Sequence, residues 1–147
     1  MKIITNYIDG NCKSYSKEFL NVEDPSTGEI VSKVVLSNKE DFKKIIESSE
    51  KASKKWAQVT PLKRSRIISK YKELIEKDME NLAKLVSQEH GKTLDDAKGS
   101  VTRGLEVVEF ACGIPHLLKG EFSQNVGTNI DSWSIRQPLG VSRNNSI

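Results

Sequence analysis

The chain has 147 residues, of which 36% are hydrophobic and 29% charged, and its formal net charge is +3. This length suits one domain with a core and is short for two. The nearly balanced charge gives no footprint for nucleic-acid binding, and the lysines of residues 51–55 are explained by a solvated helix face. No run approaches the roughly 20 apolar residues of a membrane span, and the first ten residues are too short and polar for a signal peptide. Cys12 and Cys112 form no CxxC and no zinc-ligand spacing, so we expect a reduced, cytoplasmic protein without a metal site.

Residues 3–35 predict short strands joined by turns. Asp9-Gly10 follows Tyr7-Ile8 and predicts a tight hairpin, because glycine accepts a positive φ without steric cost. Residues 24–28 (DPSTG) predict a second turn, in which proline fixes one φ and glycine closes the turn. The β-branched residues that follow, up to Leu36, predict another strand. We expect a small antiparallel unit.

Four amphipathic helices are predicted after this unit. The first runs from Asn38 to Trp56, the second begins at Thr60-Pro61, the third runs from Asp78 to Gly91, and the fourth from Thr93 to Cys112. Asn38 and Thr93 are the expected N-caps, and each has an aspartate three residues on, Asp41 and Asp96. Apolar residues recur at helical spacing in each. We interpret these stripes as core faces, with a partner-binding groove as the alternative. They comprise Phe42, Ile45, Ile46, Ser49, Ala52 and Trp56; Ile67, Ile68, Tyr71, Leu74 and Ile75; Met79, Leu82, Ala83 and Val86; and Leu94, Ala97, Val101, Leu105, Val108 and Cys112.

The remainder of the chain predicts extended structure. Residues 113–120 break the fourth helix, and Cys112, on its apolar stripe, is interpreted as packing. Residues 121–136 alternate weakly through apolar side chains and predict a hairpin. Residues 138–141 (PLGV) resemble the start of a buried strand, but a polar tail follows.

Several of these segments resemble the N-terminus of an aldehyde dehydrogenase. They are residues 24–29 (DPSTGE), the helix end at Trp56, Arg64 with Arg66, and residues 136–141 (RQPLGV). Residues 89–94 (EHGKTL) and 103–115 (RGLEVVEFACGIP) more narrowly resemble the CoA-acylating methylmalonate-semialdehyde (malonate-semialdehyde) dehydrogenases. The resemblance runs from Tyr7 to Val141 and covers only the first part of a family member.

This resemblance implies a truncated α/β fold with N-terminal β-hairpins, four helices and oligomerisation strands, in which most of the parallel sheet is missing. Residues 1–120 would be the N-terminal part of the NAD-binding domain, residues 121–137 the oligomerisation strands, and residues 138–147 a truncated first core strand with an aberrant tail. One back-translation of residues 142–147, preceded by the nucleotides GT and read in a neighbouring frame, encodes Val-Ala-Gly-Ile-Thr-Pro and the start of Phe, which resembles the family's next strand. A frameshift just after Val141 is therefore our hypothesis for the tail.

The resemblance also implies a reaction, in which a semialdehyde, CoA and NAD give acetyl-CoA or propionyl-CoA, CO2 and NADH. The family's nucleophilic cysteine, base and most of its cofactor site lie beyond Ile147, so we expect no catalytic, cofactor-binding or metal-binding residue here and no activity of this chain alone. The intact family member uses NAD and CoA and forms homotetramers. Two alternatives stay open: a small helical binding or assembly module, and one half of a split dehydrogenase.

One family role falls on this chain. Arg103 matches the arginine that recognises the carboxylate of the substrate, and a guanidinium can hold a carboxylate with two hydrogen bonds. Gly104 beside it leaves room. The alternative is an ion pair with Glu106 or Glu109 on the helix surface.

Overall fold

The structure, a computed structural model, describes residues 1–142. The elements in chain order are β1 (Lys2–Ile4), β2 (Tyr7–Ile8), β3 (Asn11–Cys12), β4 (Phe19–Glu23), β5 (Ile30–Val35), α1 (Lys39–Ala57), α2 (Pro61–Lys77), α3 (Met79–His90), α4 (Leu94–Cys112), α5 (Ile114–Leu117), β6 (Phe122–Gly127) and β7 (Ile130–Trp133). The predicted order of strands, four long helices and a final hairpin is confirmed.

The N-terminal strands form two small sheets. β2 and β3 pair across Asp9-Gly10, both of which have positive φ, as the sequence predicts. The second sheet has the order β1-β5-β4, and its β4–β5 pair is antiparallel. However, β1 runs parallel to β5, so the expectation of a purely antiparallel unit was wrong. Parallel partners are distant in sequence, and no turn signal marks them.

The predicted turn at residues 24–28 connects β4 to β5. The N–H of Gly28 donates to the carbonyl of Asp24 at 2.7 Å, and Gly28 has a φ of +75°. The Asp24 carboxylate also accepts from the N–H of Ser26 at 2.8 Å. The turn then packs against the end of α3, where an ideal Cβ on Gly91 would lie 2.9 Å from Pro25 Cγ.

The carboxylate of Asp41 joins the N-terminal strands to α1. It is fully buried and closes a capping box with Asn38 at the start of that helix. Its oxygens accept hydrogen bonds from the N–H groups of Tyr15 (2.7 Å), Ser16 (3.0 Å) and Asn38 (3.1 Å), the hydroxyl of Ser14 (3.0 Å) and the amide of Asn6 (3.3 Å). Burial acts to raise its pKa, but these donors outweigh burial and lower the pKa from 3.8 to about 2. Asp41 therefore stays ionised, and its carboxylate links the N-terminal segment to the start of α1.

Helices α2, α3 and α4 pack together through small side chains and a few polar links. Ala83 of α3 and Ala97 of α4 are fully buried, which lets the two backbones approach closely. Lys98 of α4 pairs with Glu80 of α3 at 2.6 Å. At the C-terminal end of α4, the hydroxyl of Ser65 in α2 donates to the carbonyl of Cys112 at 2.6 Å.

The prediction that all four apolar stripes form a core was wrong for the first two helices. Tyr71 and Leu74 of α2 remain 53% and 54% exposed, and Phe42 and Trp56 of α1 are also exposed. The periodicity located the apolar faces, but within residues 1–142 these two faces are only partly covered, with Ile45 and Ile46 of α1 and Ile68 and Ile75 of α2 half-buried. By contrast, the stripe of α4 is buried or half-buried apart from Leu94, which is 37% exposed.

The segment after α4 differs from the prediction in one respect. Residues 113–120 do not simply break the helix, because Ile114–Leu117 forms the short helix α5 with Pro115 in its first turn. The predicted hairpin is confirmed as β6 and β7, with Phe122 opposite Trp133. Residues 138–142 form no strand, and Leu139 is fully exposed. The frameshift hypothesis concerns mainly residues 143–147, which lie outside the described residues.

Candidate functional site: an arginine on helix α4

Helix α4 positions Arg103 near its middle. The helix begins after Thr93, whose hydroxyl accepts the N–H of Asp96 at 3.3 Å, and Asp95 and Asp96 in the first turn complement the helix dipole. The preceding helix, α3, ends at its C-cap Gly91, which has a φ of +77°. These local signals fix where α4 starts and so which way Arg103 points.

Arg103 lies on the exposed side of α4. Val107 and Phe110 follow it at helical spacing and are 69% and 68% exposed. The face opposite carries the half-buried stripe that includes Val101 and Leu105. α4 therefore presents a cation beside two uncovered apolar side chains.

The guanidinium of Arg103 has a hydroxyl rather than a carboxylate as its neighbour. Its Nη2 donates to Ser100 Oγ at 3.1 Å. The alternative of an ion pair with Glu106 or Glu109 is not formed. Glu109 lies 3.6 Å from Lys72 of α2 instead, and across residues 1–142 no carboxylate pairs with Arg103.

Lys92 and Ser100 complete a cluster that the sequence interpretation missed. Lys92 Nζ donates to Ser100 Oγ at 2.8 Å and pairs with Asp96 Oδ2 at 3.1 Å. The side chain of Lys92 is only 17% exposed. Asp96, Ser100 and Arg103 are spaced at four and three residues along the helix, which was a usable signal. The position of Lys92 depends on the turn before α4 and could not be read from helical spacing.

The arrangement can bind a small anion. Asp96 balances the charge of Lys92, whereas the charge of Arg103 has no partner among the described residues. A guanidinium has five N–H donors, and Ser100 uses one of them. An edge with two donors remains, which matches the two oxygens of a carboxylate.

The two cysteines are not part of the cluster of Lys92, Asp96, Ser100 and Arg103. Cys12 is exposed, and Cys112 is half-buried, with its thiol donating to the carbonyl of Val108 at 3.4 Å. The latter is consistent with its interpretation as packing. Over the part of the chain that the structure describes, no group of three or more His, Cys, Asp or Glu side chains is placed to hold a metal ion. Likewise, none of the helices found there combines the length and apolar character that crossing a membrane requires.

Comparison with known proteins identifies the family. The model of the Aldehyde dehydrogenase family matches residues 12–144, and the chain belongs to that family. Among curated relatives, it is 42% identical to the malonate-semialdehyde dehydrogenase of Pseudomonas aeruginosa over 96% of this chain and 28% of that protein. It is 43% identical to the acylating, mitochondrial methylmalonate-semialdehyde dehydrogenase of Arabidopsis thaliana, over 94% of this chain and 23% of that protein.

The likeness extends to three dimensions. A Sinorhizobium meliloti protein assigned to the methylmalonate-semialdehyde dehydrogenases, solved with NAD, superposes with a TM-score of 0.90 and 44% identity. The match covers 95% of this chain and 29% of that one. The aldehyde dehydrogenase-like α/β fold and the resemblance to this group of enzymes are thus confirmed. The chain spans less than a third of the length of these relatives. Since the Arabidopsis relative is mitochondrial by name, the cytoplasmic location stays a prediction.

Proposed function

We propose that this chain is the N-terminal part of a CoA-acylating malonate- or methylmalonate-semialdehyde dehydrogenase, in which Arg103 binds the carboxylate of the substrate. The whole protein would convert the semialdehyde, CoA and NAD into acetyl-CoA or propionyl-CoA, CO2 and NADH. The observation that carries the proposal is the exposed Arg103, which has no carboxylate partner within residues 1–142, in a chain 42% identical to a malonate-semialdehyde dehydrogenase. An unpaired guanidinium on an exposed helix face suits a substrate that bears a carboxylate.

In this proposal the residues of the chain bind and orient, and none of them carries out the chemistry. Arg103 would hold the carboxylate through two parallel hydrogen bonds. Val107 and Phe110, exposed on the same face, would contact the short carbon chain. Neither Cys12 nor Cys112 is proposed as the nucleophile, and residues 1–120, 121–137 and 138–147 keep the roles implied by the resemblance.

NAD is the cofactor of this chemistry and would accept the hydride, but the one strand-to-helix junction within residues 1–142, between β5 and α1, does not fit its phosphates. The strand-to-helix junction between β5 and α1 has no glycine, although a close phosphate contact usually needs one. The first N–H groups of α1 already donate to Asn38 Oδ1, at 2.9 Å from Glu40 and 3.0 Å from Asp41. The ionised, buried Asp41 would also repel a phosphate. We therefore assign no cofactor-binding residue for NAD or CoA to this chain.

A chimeric enzyme tests the proposal. The segment of the Pseudomonas malonate-semialdehyde dehydrogenase that matches this chain is replaced by the corresponding residues of this chain. We expect CoA-dependent NADH formation from malonate semialdehyde. Arg103→Ala and Arg103→Lys should raise KM for malonate semialdehyde about tenfold or more, because lysine lacks the planar fork, and should leave propanal oxidation nearly unchanged. Thr102→Ala, an exposed neighbour on α4, is the matched control. Equal losses with propanal would refute the carboxylate role.

The isolated chain gives a second test. Mixed with malonate semialdehyde, CoA and NAD, it should form no NADH, because a covalent mechanism needs a nucleophile, a base and an oxyanion site together. Measurable turnover would contradict the proposal that this chain only contributes binding residues.

The exposed apolar side chains favour a second candidate, an assembly module or one half of a split dehydrogenase. Phe122 and Trp133 form a cross-strand pair on the β6–β7 hairpin and are 64% and 66% exposed. Apolar surface of this kind promotes association, and in the proposed tetramer this hairpin would supply the oligomerisation strands. Sedimentation of the purified chain tests this candidate. A monomer at all concentrations, with no complementary chain co-purifying, would argue against it.

A further inference from the structure

The hydroxyl of Ser100 is the common partner of two cations, Lys92 in the turn before α4 and Arg103 on α4. It accepts hydrogen bonds from Lys92 Nζ at 2.8 Å and Arg103 Nη2 at 3.1 Å, and it donates to the carbonyl of Asp96 at 3.2 Å. A serine hydroxyl has one donor and two acceptor sites. All three sites of Ser100 are therefore in use, and its rotamer is fixed from three directions.

Lys92 holds this hydroxyl from outside the helix. Its backbone carbonyl accepts the hydroxyl of Ser87 at 2.7 Å, which anchors the turn between α3 and α4. Its ammonium group is bound by Asp96 Oδ2 at 3.1 Å, and its side chain as a whole is 17% exposed. Ser100 is thus held by Lys92, which is itself fixed, and its hydrogen bond with Arg103 restricts the rotamers of the arginine.

Within residues 1–142, the bond to Ser100 is the one hydrogen bond that the Arg103 guanidinium makes. An ideal Cβ on Gly99 would lie 3.7 Å from Arg103 Nη1, and one on Gly104 would meet nothing within 4 Å. The long side chain is exposed, so without Ser100 it would sample many rotamers, and binding a ligand would cost that freedom. We propose that Ser100, held by Lys92, is a positioning residue that fixes Arg103 with one two-donor edge facing a carboxylate. This inference rests on the proposed function of Arg103.

Side-chain NMR of the full 147-residue chain tests the inference with two separate readouts. The first is the rotation rate of the Arg103 guanidinium, measured on its Nη resonances without any ligand. Ser100→Ala should speed this rotation, and Ser100→Thr, which keeps a hydroxyl, should restore it. Thr102→Ala, on the same helix but outside the cluster, should change nothing. An unchanged rate in Ser100→Ala would overturn the inference.

The second readout is a titration with sodium propionate, with propionamide as the uncharged control. Propionate should shift the Arg103 Nε–H signal of the natural chain, and Ser100→Ala should weaken the affinity about fivefold or more, as expected for losing a hydrogen bond to a charged group. If the natural chain responds but Ser100→Ala binds equally well, the positioning role is wrong and the proposed function stands. If the natural chain responds no more to propionate than to propionamide, the carboxylate role of Arg103 fails, and this inference fails with it.

Discussion

Replacing Gly91 by alanine tests how the N-terminal sheet is joined to the helix pair that carries Arg103. Gly91 ends α3 with a φ of +77°. An alanine in this left-handed conformation costs about 1–2 kcal/mol. Its Cβ would also lie 2.9 Å from Pro25 Cγ, and relieving an overpacked contact costs about 1–3 kcal/mol. We therefore expect Gly91→Ala to lower the free energy of unfolding by roughly 2–5 kcal/mol.

Gly28→Ala supplies the matched control. Gly28 has nearly the same φ, +75°, but an ideal Cβ there meets nothing within 4 Å. Both alanines restrict the unfolded chain by the same amount, about 0.4–1 kcal/mol, so this effect cancels when the two variants are compared. The difference between them, about 1–3 kcal/mol, isolates the contact with Pro25.

The assay is urea unfolding followed by circular dichroism, with equal slopes required before free energies are compared. Pro25→Ala and the double variant with Gly91→Ala complete a double-mutant cycle. The double variant should recover most of the extra loss, because Pro25 Cγ, the atom nearest the added Cβ, is removed. If Gly91→Ala costs no more than Gly28→Ala, the turn at residues 24–28 does not pack on α3 as described, and the reasoning is refuted.

Three further predictions concern other parts of the chain. The pKa of Asp41 is lowered to about 2, so its stabilising effect is complete above pH 3.8 and is lost as the pH falls toward 2. Asp41→Asn should lower the melting temperature at neutral pH and flatten its fall in acid; an unchanged acid profile would contradict this assignment. Thr93→Ala should cost about 1 kcal/mol in urea unfolding through loss of the α4 cap, and Thr93→Ser should cost less. The double variant Val107→Ser/Phe110→Ser should change the free energy of unfolding by less than about 0.5 kcal/mol, because both side chains are exposed. It should also reduce self-association of the chain in sedimentation. Unchanged self-association would exclude this face of α4 as the surface through which the copies associate.

The helix limits could be predicted because their signals are local. Asn38 with Asp41 forms the capping box that the sequence indicated, and Thr93 and Gly91 cap α4 and α3 as expected. Each signal acts within one turn of its helix, so it does not depend on the rest of the fold. The pairing of β1 with β5 could not be found in this way, because the partners are distant in sequence (Lys2 pairs with Ser32) and β1 has only 3 residues.

The periodic stripes were a weaker guide, because periodicity identifies an apolar face without identifying what covers it. The stripe of α4 packs against α2 and α3, whereas Tyr71 and Leu74 of α2 stay more than half exposed. The resemblance indicated Arg103 but not its surroundings. Ser100 lies within reach along the helix, but Lys92 enters the cluster only because the turn after Gly91 folds back toward α4.

The exposed face of α4 combines a cation with apolar side chains. An amphipathic surface helix carries mainly polar residues on its outer face, yet Val107 and Phe110 are exposed there beside Arg103. Apolar surface next to an unpaired guanidinium suits a ligand that has both a carboxylate and a short carbon chain. It also suits a helix whose outer face meets other polypeptide in the whole protein. The variants Ser100→Ala and Ser100→Thr distinguish these alternatives. If Arg103 binds a carboxylate, the loss of order in its guanidinium should weaken propionate binding.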